Sequence, residues 1–166
     1  MFYYVEKFQM HANNAKLVTI NDTIGGVEDL LHLFSVALRF PYPTVTNFNA
    51  FRDVMGELDW LQEKEVIVYH DGLPSLDEHE MACYIDGLNL IDVEWEKYAE
   101  RANLIRKHCE NRGETIPPDS WINRPSKVFN VYFRLEDESF IEGMIKKYSK
   151  NYRECIHYDE RGIEYI

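Results

Sequence analysis

The sequence predicts an α/β protein: a small three-stranded parallel sheet flanked by helices, with added elements at both termini. Three observations carry this. Short apolar, β-branched runs stand at 16–20, 66–69 and 128–133. The order of elements is strand, helix, capped helix, strand, helical segment, strand, which is that of an α/β layer. The middle run, Val66-Ile67-Val68-Tyr69, is apolar without alternation, and such a run suits a strand buried on both faces of a parallel sheet. A chain of 166 residues is expected to form one domain over 1–166 and is long enough to bury a real core.

Taken in order, Phe2 to Phe8 is rich in aromatics and reads as an edge strand, with His11 to Asn14 as a turn. Lys16 to Ile20 is a strand ended by Asn21-Asp22. Gly25-Gly26 breaks the chain before a helix whose stripe is Val27, Leu30, Leu31, Phe34 and Leu38, the spacing of an amphipathic helix on a core. Arg39-Phe40-Pro41 stops it, because the residue before proline is pushed out of helical geometry. Pro41 and Pro43 stiffen the next loop, and Asn47 is placed to cap a second helix. Phe51, Val54, Met55 and Leu58 form its buried stripe, and the opposite face carries Asn49, Arg52, Asp53, Gly56 and Glu57.

After the strand at 66–69, Leu76 to Asp86 reads as a short helix and Val93 to Asn111 as a second one, stopped by Asn111-Arg112-Gly113. Gly113 to Pro125 holds three prolines and reads as a surface loop. Val128 to Phe133 is the third strand. A helix over about Ser139 to Lys150 follows, and Glu154 to Ile166 suits a small hairpin around Glu160-Arg161-Gly162.

Charge is unevenly spread. The chain carries a formal −11, yet from Asp53 to Glu96 thirteen Asp and Glu face one basic residue, Lys64. That segment alone is −12 and the rest is +1. A fixed acidic surface suits a basic partner and disfavours phosphate backbones and anionic membranes. The same excess also serves solubility. The 45% hydrophobic and 14% aromatic content argues against disorder. No apolar run approaches the roughly 18 residues that a membrane span needs. Glu6 and Lys7 interrupt the first ten residues, so no secretory signal is expected there. Cys83, Cys109 and Cys155 are widely spaced and odd in number, which reads as free thiols in a reducing cytoplasm.

Catalytic patterns are weak. Asp77-Glu78-His79-Glu80 holds metal-ligating side chains, but adjacent helical residues cannot converge on one ion. His108 and Cys109 point about 100° apart on a helix. Tyr84 and Asp86 have no nucleophile elbow or phosphate-cradling loop nearby, and Gly25-Gly26 lacks the lysine of a P-loop and the third glycine of a dinucleotide site. No catalytic residue, metal or cofactor is assigned.

Four stretches carry a resemblance: KLVTIND at 16–22, LRFP at 38–41, NFNAFRDVM at 47–55 and VIVYH at 66–70. From about 16 to 133 the chain resembles the barstar family, small acidic inhibitors of barnase-type ribonucleases. Asn47, Ala50 and Asp53 fall at matching places in the family's second helix. The chain departs from the pattern at Val45, where the family usually has glycine, at Pro43 and Thr44 in place of loop aromatics, at Asn49 in place of an aspartate, and at Arg52 in place of a tryptophan. The segment between the second and third strands is longer, and 1–14 and 135–166 have no counterpart.

The resemblance implies that the second helix and the loop before it, with Val45 and Thr46, lie across a ribonuclease active site. Asp53 would be the carboxylate standing in for a substrate phosphate. Asn47 and Asn49 would fix the start of the helix and offer amide hydrogen bonds. Glu57, Asp59 and Trp60 would form the neighbouring rim. Without the resemblance, Asp53 reads as a solvated carboxylate, Asn47 as a structural cap and Trp60 as part of the core.

Two functions stay open. One is an inhibitor or immunity protein that occludes a basic nuclease toxin as a cytoplasmic monomer, without direct contact to nucleic acid or membrane. The other is a barstar-like interaction module with no nuclease partner. A small hydrolase using clustered carboxylates is a third, weaker class.

Overall fold

The computed structural model describes residues 2–10, 14–41 and 45–165. Of the turn expected at His11 to Asn14 only Asn14, itself in a turn, is described, and the stiffening ascribed to Pro43 lies outside those residues.

Four parallel strands form the main sheet: β1 (Phe2–Val5), β2 (Ala15–Ile20), β3 (Glu65–His70) and β4 (Val128–Arg134), in the order β1-β4-β3-β2. The expectation of three strands is corrected here. Residues 2–5 do form an edge strand, but it joins the same sheet, with Phe2 opposite Val131 and Val5 opposite Arg134. That pairing spans nearly the whole chain, so no local pattern announces it. β3 is central, with Leu17 opposite Ile67 on one side and Val68 opposite Val131 on the other. Val66, Ile67 and Val68 are all buried, as their unbroken apolar run predicts.

One face of the sheet carries Val18, Ile20, Val66, Val68, Phe129, Val131 and Phe133 into the main core. There it meets α1 (Val27–Ala37) through Leu30, Leu31 and Phe34, and α2 (Phe48–Glu57) through Phe51, Val54 and Met55. Phe34 and Phe51 meet edge-on with ring centroids 4.7 Å apart, an arrangement that adds to simple area burial. α1 ends with Arg39 in a left-handed conformation at φ 53°, and the Phe40 amide donates to the Ser35 carbonyl at 3.0 Å.

The largest surprise is α3 (Glu78–Arg112), one helix of 35 residues where the sequence suggests two shorter ones. The residues between Asp86 and Val93, left out of both expected helices, continue it: Gly87, Leu88, Leu90, Ile91 and Asp92 are all buried, with Gly87 facing Arg52 of α2. Asp77 opens the helix with a capping box, its side chain accepting from the Glu80 amide at 2.8 Å while Glu80 accepts from the Asp77 amide at 3.0 Å. Two members of the Asp77-Glu78-His79-Glu80 cluster are thus employed in starting a helix.

His70 is fully buried at the end of β3. A carbonyl can only accept, so Nδ1 carries the proton and donates to the Tyr132 carbonyl at 3.1 Å, while Nε2 accepts from the Tyr84 hydroxyl at 2.9 Å. The ring stacks on Phe133 at 4.1 Å. Burial disfavours the cation and brings the imidazole down to about 3. Lys127 is also buried, and its ammonium donates to the carbonyls of Leu61 and Glu63 at 2.5 and 2.8 Å, tying the approach to β3 against the start of β4.

Beyond β4 come α4 (Glu138–Tyr148), the short α5 (Tyr152–Cys155) and an antiparallel pair, β5 (His157–Tyr158) with β6 (Glu164–Tyr165). The tail hairpin is where the sequence suggests it. This tail lies along α3: Arg153 reaches Asp92 at 2.5 Å and Glu96 at 2.9 Å, and the Tyr152 hydroxyl donates to the Asp86 carboxylate at 2.8 Å. Among the described residues no helix is long and apolar enough to cross a membrane.

Candidate functional site

α2 is built to present one face. Asn47 sits in extended geometry and its Oδ1 accepts from the Ala50 amide at 2.9 Å, as the cap reading requires. The far end is closed by Leu58, left-handed at φ 36° and fully buried. The Trp95 indole of α3 donates to the Met55 carbonyl at 2.9 Å, satisfying one of the terminal acceptors of α2. With both ends fixed and Phe51, Val54 and Met55 inside, the helix cannot rotate.

The outward face then carries Thr46, Asn47, Asn49, Asp53 and Glu57, all exposed. The spacing of Asn49, Asp53 and Glu57 places them on one side of the helix. The side chains of Asn49 and Asp53 make no hydrogen bond or ion pair among the described residues. Asp59 is exposed too, but faces Arg124 at 3.4 Å. Two residues of the expected surface lie elsewhere. Val45 is 8% exposed and belongs to the core, because an apolar side chain just before the cap is drawn under the helix. Trp60 is half-buried; its indole donates to the Leu38 carbonyl at 2.8 Å and its ring meets Phe40 edge-on. It fixes the end of α1 instead of standing at a rim.

A cleft of about 490 Å³ opens beside this face. Arg52, Asp53, Gly56 and Glu57 supply one wall, and Glu94, Trp95, Tyr98 and Arg101 of α3 supply the floor. Trp121 and Arg124, from the proline-rich loop, and Tyr158, from β5, close the far side. The Tyr98 hydroxyl donates to the Trp121 carbonyl, and burial raises its pKa. Arg101 lies over the Trp121 ring at 5.1 Å and the Tyr158 ring at 5.5 Å, and its Nε donates to the Gly162 carbonyl at 3.2 Å. Sequence reasoning missed this cleft. The one local signal was a tryptophan inside an otherwise polar, proline-rich loop.

A family model described as barstar (barnase inhibitor) matches residues 15–107, more than half of the chain. The chain belongs to the barstar family. The match runs from β2 through most of α3 and includes the whole of α2, so the exposed face with Asp53 lies on the family's own part of the molecule. No curated protein and no solved structure gives a significant match. The barstar match leaves out β1, β4, the Trp121 loop and everything after it. The cleft therefore joins barstar elements to elements outside the match.

Proposed function

We propose that this barstar-family chain is an inhibitor of the immunity type, binding a basic, barnase-type ribonuclease and occluding its active site without chemistry. The observation that carries the reading is Asp53: an exposed carboxylate with no partner among the described residues, held at the middle of a helix whose two ends are pinned. A preorganised anion of that kind suits a pocket of Arg, Lys and His groups that otherwise receives a phosphate. Asn49 and Asn47 flank it with amide donors and acceptors, and Thr46, Glu57 and Asp59 complete the face. Val45 and Trp60 support the surface from beneath.

The departure at Asn49, an amide where the family has a carboxylate, favours the second reading, an interaction module with no nuclease partner. One experiment separates the two. A barnase-type ribonuclease from the same host is titrated with the protein while RNA cleavage is followed. Stoichiometric loss of cleavage supports inhibition, and full activity at excess protein against every such host enzyme supports the module.

A further inference from the structure

Three of the four metal-ligating side chains at the start of α3 are taken: Asp77 and Glu80 by the capping box, and Glu78 by Lys147 and Tyr148. The fourth, His79, has a counterpart one turn further on. Positions four apart on a helix share a face, and the Cys83 thiol lies 3.8 Å from His79 Nε2. We infer that His79 and Cys83 form a two-point binding site for a thiophilic divalent cation of the zinc type.

The separation has the bite that such an ion needs. An ion about 2.3 Å from sulfur and about 2.0 Å from an imidazole nitrogen, with a tetrahedral angle between them, holds the two atoms about 3.5 Å apart. His79 is exposed and Cys83 half-buried, so a small side-chain rotation supplies the difference. Nε2 is the nitrogen that faces the thiol, which leaves Nδ1 to keep the proton when Nε2 binds the ion. Neither side chain makes another hydrogen bond or ion pair among the described residues. An ion entering here displaces only the contact between the two.

The donor pair selects the ion. Thiolate and imidazole suit Zn²⁺, Co²⁺ and Cd²⁺, whereas Mg²⁺ and Ca²⁺ prefer oxygen. Binding converts the Cys83 thiol to a thiolate and releases its proton to solvent, with no change of oxidation state. Among the described residues no group of three or more His, Cys, Asp and Glu side chains converges on an ion. The bound ion therefore keeps its other positions for water or for a donor from outside, an open site in contrast to a closed structural one. Tyr84, next to Cys83, meets Phe48 at the start of α2, and Gly87, one turn beyond Cys83, faces Arg52. The site adjoins the contact between the two helices and makes no use of Asp53, so it is independent of the ribonuclease reading.

The probe is Co²⁺, titrated into the reduced full chain without oxygen while near-ultraviolet absorption is followed. Thiolate bound to cobalt gives a charge-transfer band there. The expected result is a saturable band with one ion per chain, bleached by Zn²⁺ and untouched by Mg²⁺. Cys83→Ser should abolish the band, and His79→Ala should weaken cobalt binding by about tenfold or more. Cys109→Ser and Cys155→Ser should leave it unchanged. In the unaltered chain, Zn²⁺ should shield Cys83 from alkylation more than Cys109 or Cys155, as read by mass spectrometry. The inference is overturned by the absence of a saturable band, by a band that survives Cys83→Ser, by unchanged affinity in His79→Ala, or by equal shielding of the three thiols.

Discussion

Two acidic regions of this molecule, the outward face of α2 and the flank of α3, look alike in sequence and behave differently in three dimensions. Both belong to the run from Asp53 to Glu96. Along α3, however, the acids are occupied by the chain itself: Glu78 by Lys147 and Tyr148, Asp86 by Tyr152, Asp92 and Glu96 by Arg153. On α2, Asp53 faces solvent with no partner among the described residues. A linear charge count does not measure an available surface. The tail after residue 150 turns most of one acidic stretch into internal structure, while on α2 Asp53 stays open.

The largest expected effect breaks this comparison at its two ends. Asp53→Ala should weaken ribonuclease binding by about 2 kcal/mol or more, roughly thirtyfold, on a hot-spot scale that the barnase–barstar pair itself helped to set. Unfolding should stay nearly unchanged, because the side chain is exposed and outside the core. Glu96→Ala should leave affinity within about twofold, within the usual small effect of a surface substitution. Affinity losses of similar size in both variants, measured by calorimetry, would erase the distinction.

The next effect concerns the core that holds α2 in place. The folded His70 ring stays neutral down to about pH 3, whereas in the unfolded chain it takes up a proton below about pH 6.5. The unfolded state then binds more protons, so stability is complete above that range and falls as the pH drops through it. One proton accounts for at most about 1.4 kcal/mol per pH unit. Urea midpoints between pH 7.5 and 5 should show a slope that His70→Gln reduces, and an identical slope in the variant counts against the assignment.

A smaller effect sharpens the other half of the comparison. Arg153→Ala removes two ion pairs, one to Asp92, whose side chain is 8% exposed, and one to Glu96. Arg153 itself is 41% exposed, so solvent screening limits the loss to about 1 kcal/mol. Hydrogen exchange should rise first in 151–158, with ribonuclease affinity unaffected. The smallest effect is on kinetics: association should slow as salt rises, since exposed charges are screened over about 10 Å at 0.1 M. An on-rate indifferent to salt points to an apolar interface.

How much of this was legible in the sequence depends on the range of the interactions. The Asn47 cap and the stripe of Phe51, Val54 and Met55 follow from residues within one or two turns, and the structure bears them out. The strands β2, β3 and β4 stand out because their runs are rich in β-branched and aromatic residues, unbroken in β3. The fourth strand was hidden as a sheet member because Phe2–Val5 pairs with residues about 130 positions away. The continuity of α3 was hidden because the apolar run after Gly87 (Leu88, Leu90, Ile91) is buried on several sides and shows no single amphipathic stripe to link the two expected helices. The cleft was hidden because Trp121, Arg124 and Tyr158 lie in a loop and a tail with no periodic signal, and only packing on α3 brings them to Asp53. Val45 was placed at the surface by the resemblance alone, and Trp60 was placed at the rim by the resemblance while its apolar setting already pointed to the core.

The most direct test removes charge and keeps shape. Asp53→Asn preserves the side-chain volume and the helix, so a calorimetric titration against the cognate ribonuclease isolates the carboxylate. Loss of most of the binding energy, with an unfolding curve superimposable on that of the unaltered protein, is the predicted result. Affinity equal to that of the unaltered protein would contradict the account, because the helix would then be acting through something other than a phosphate-like anion.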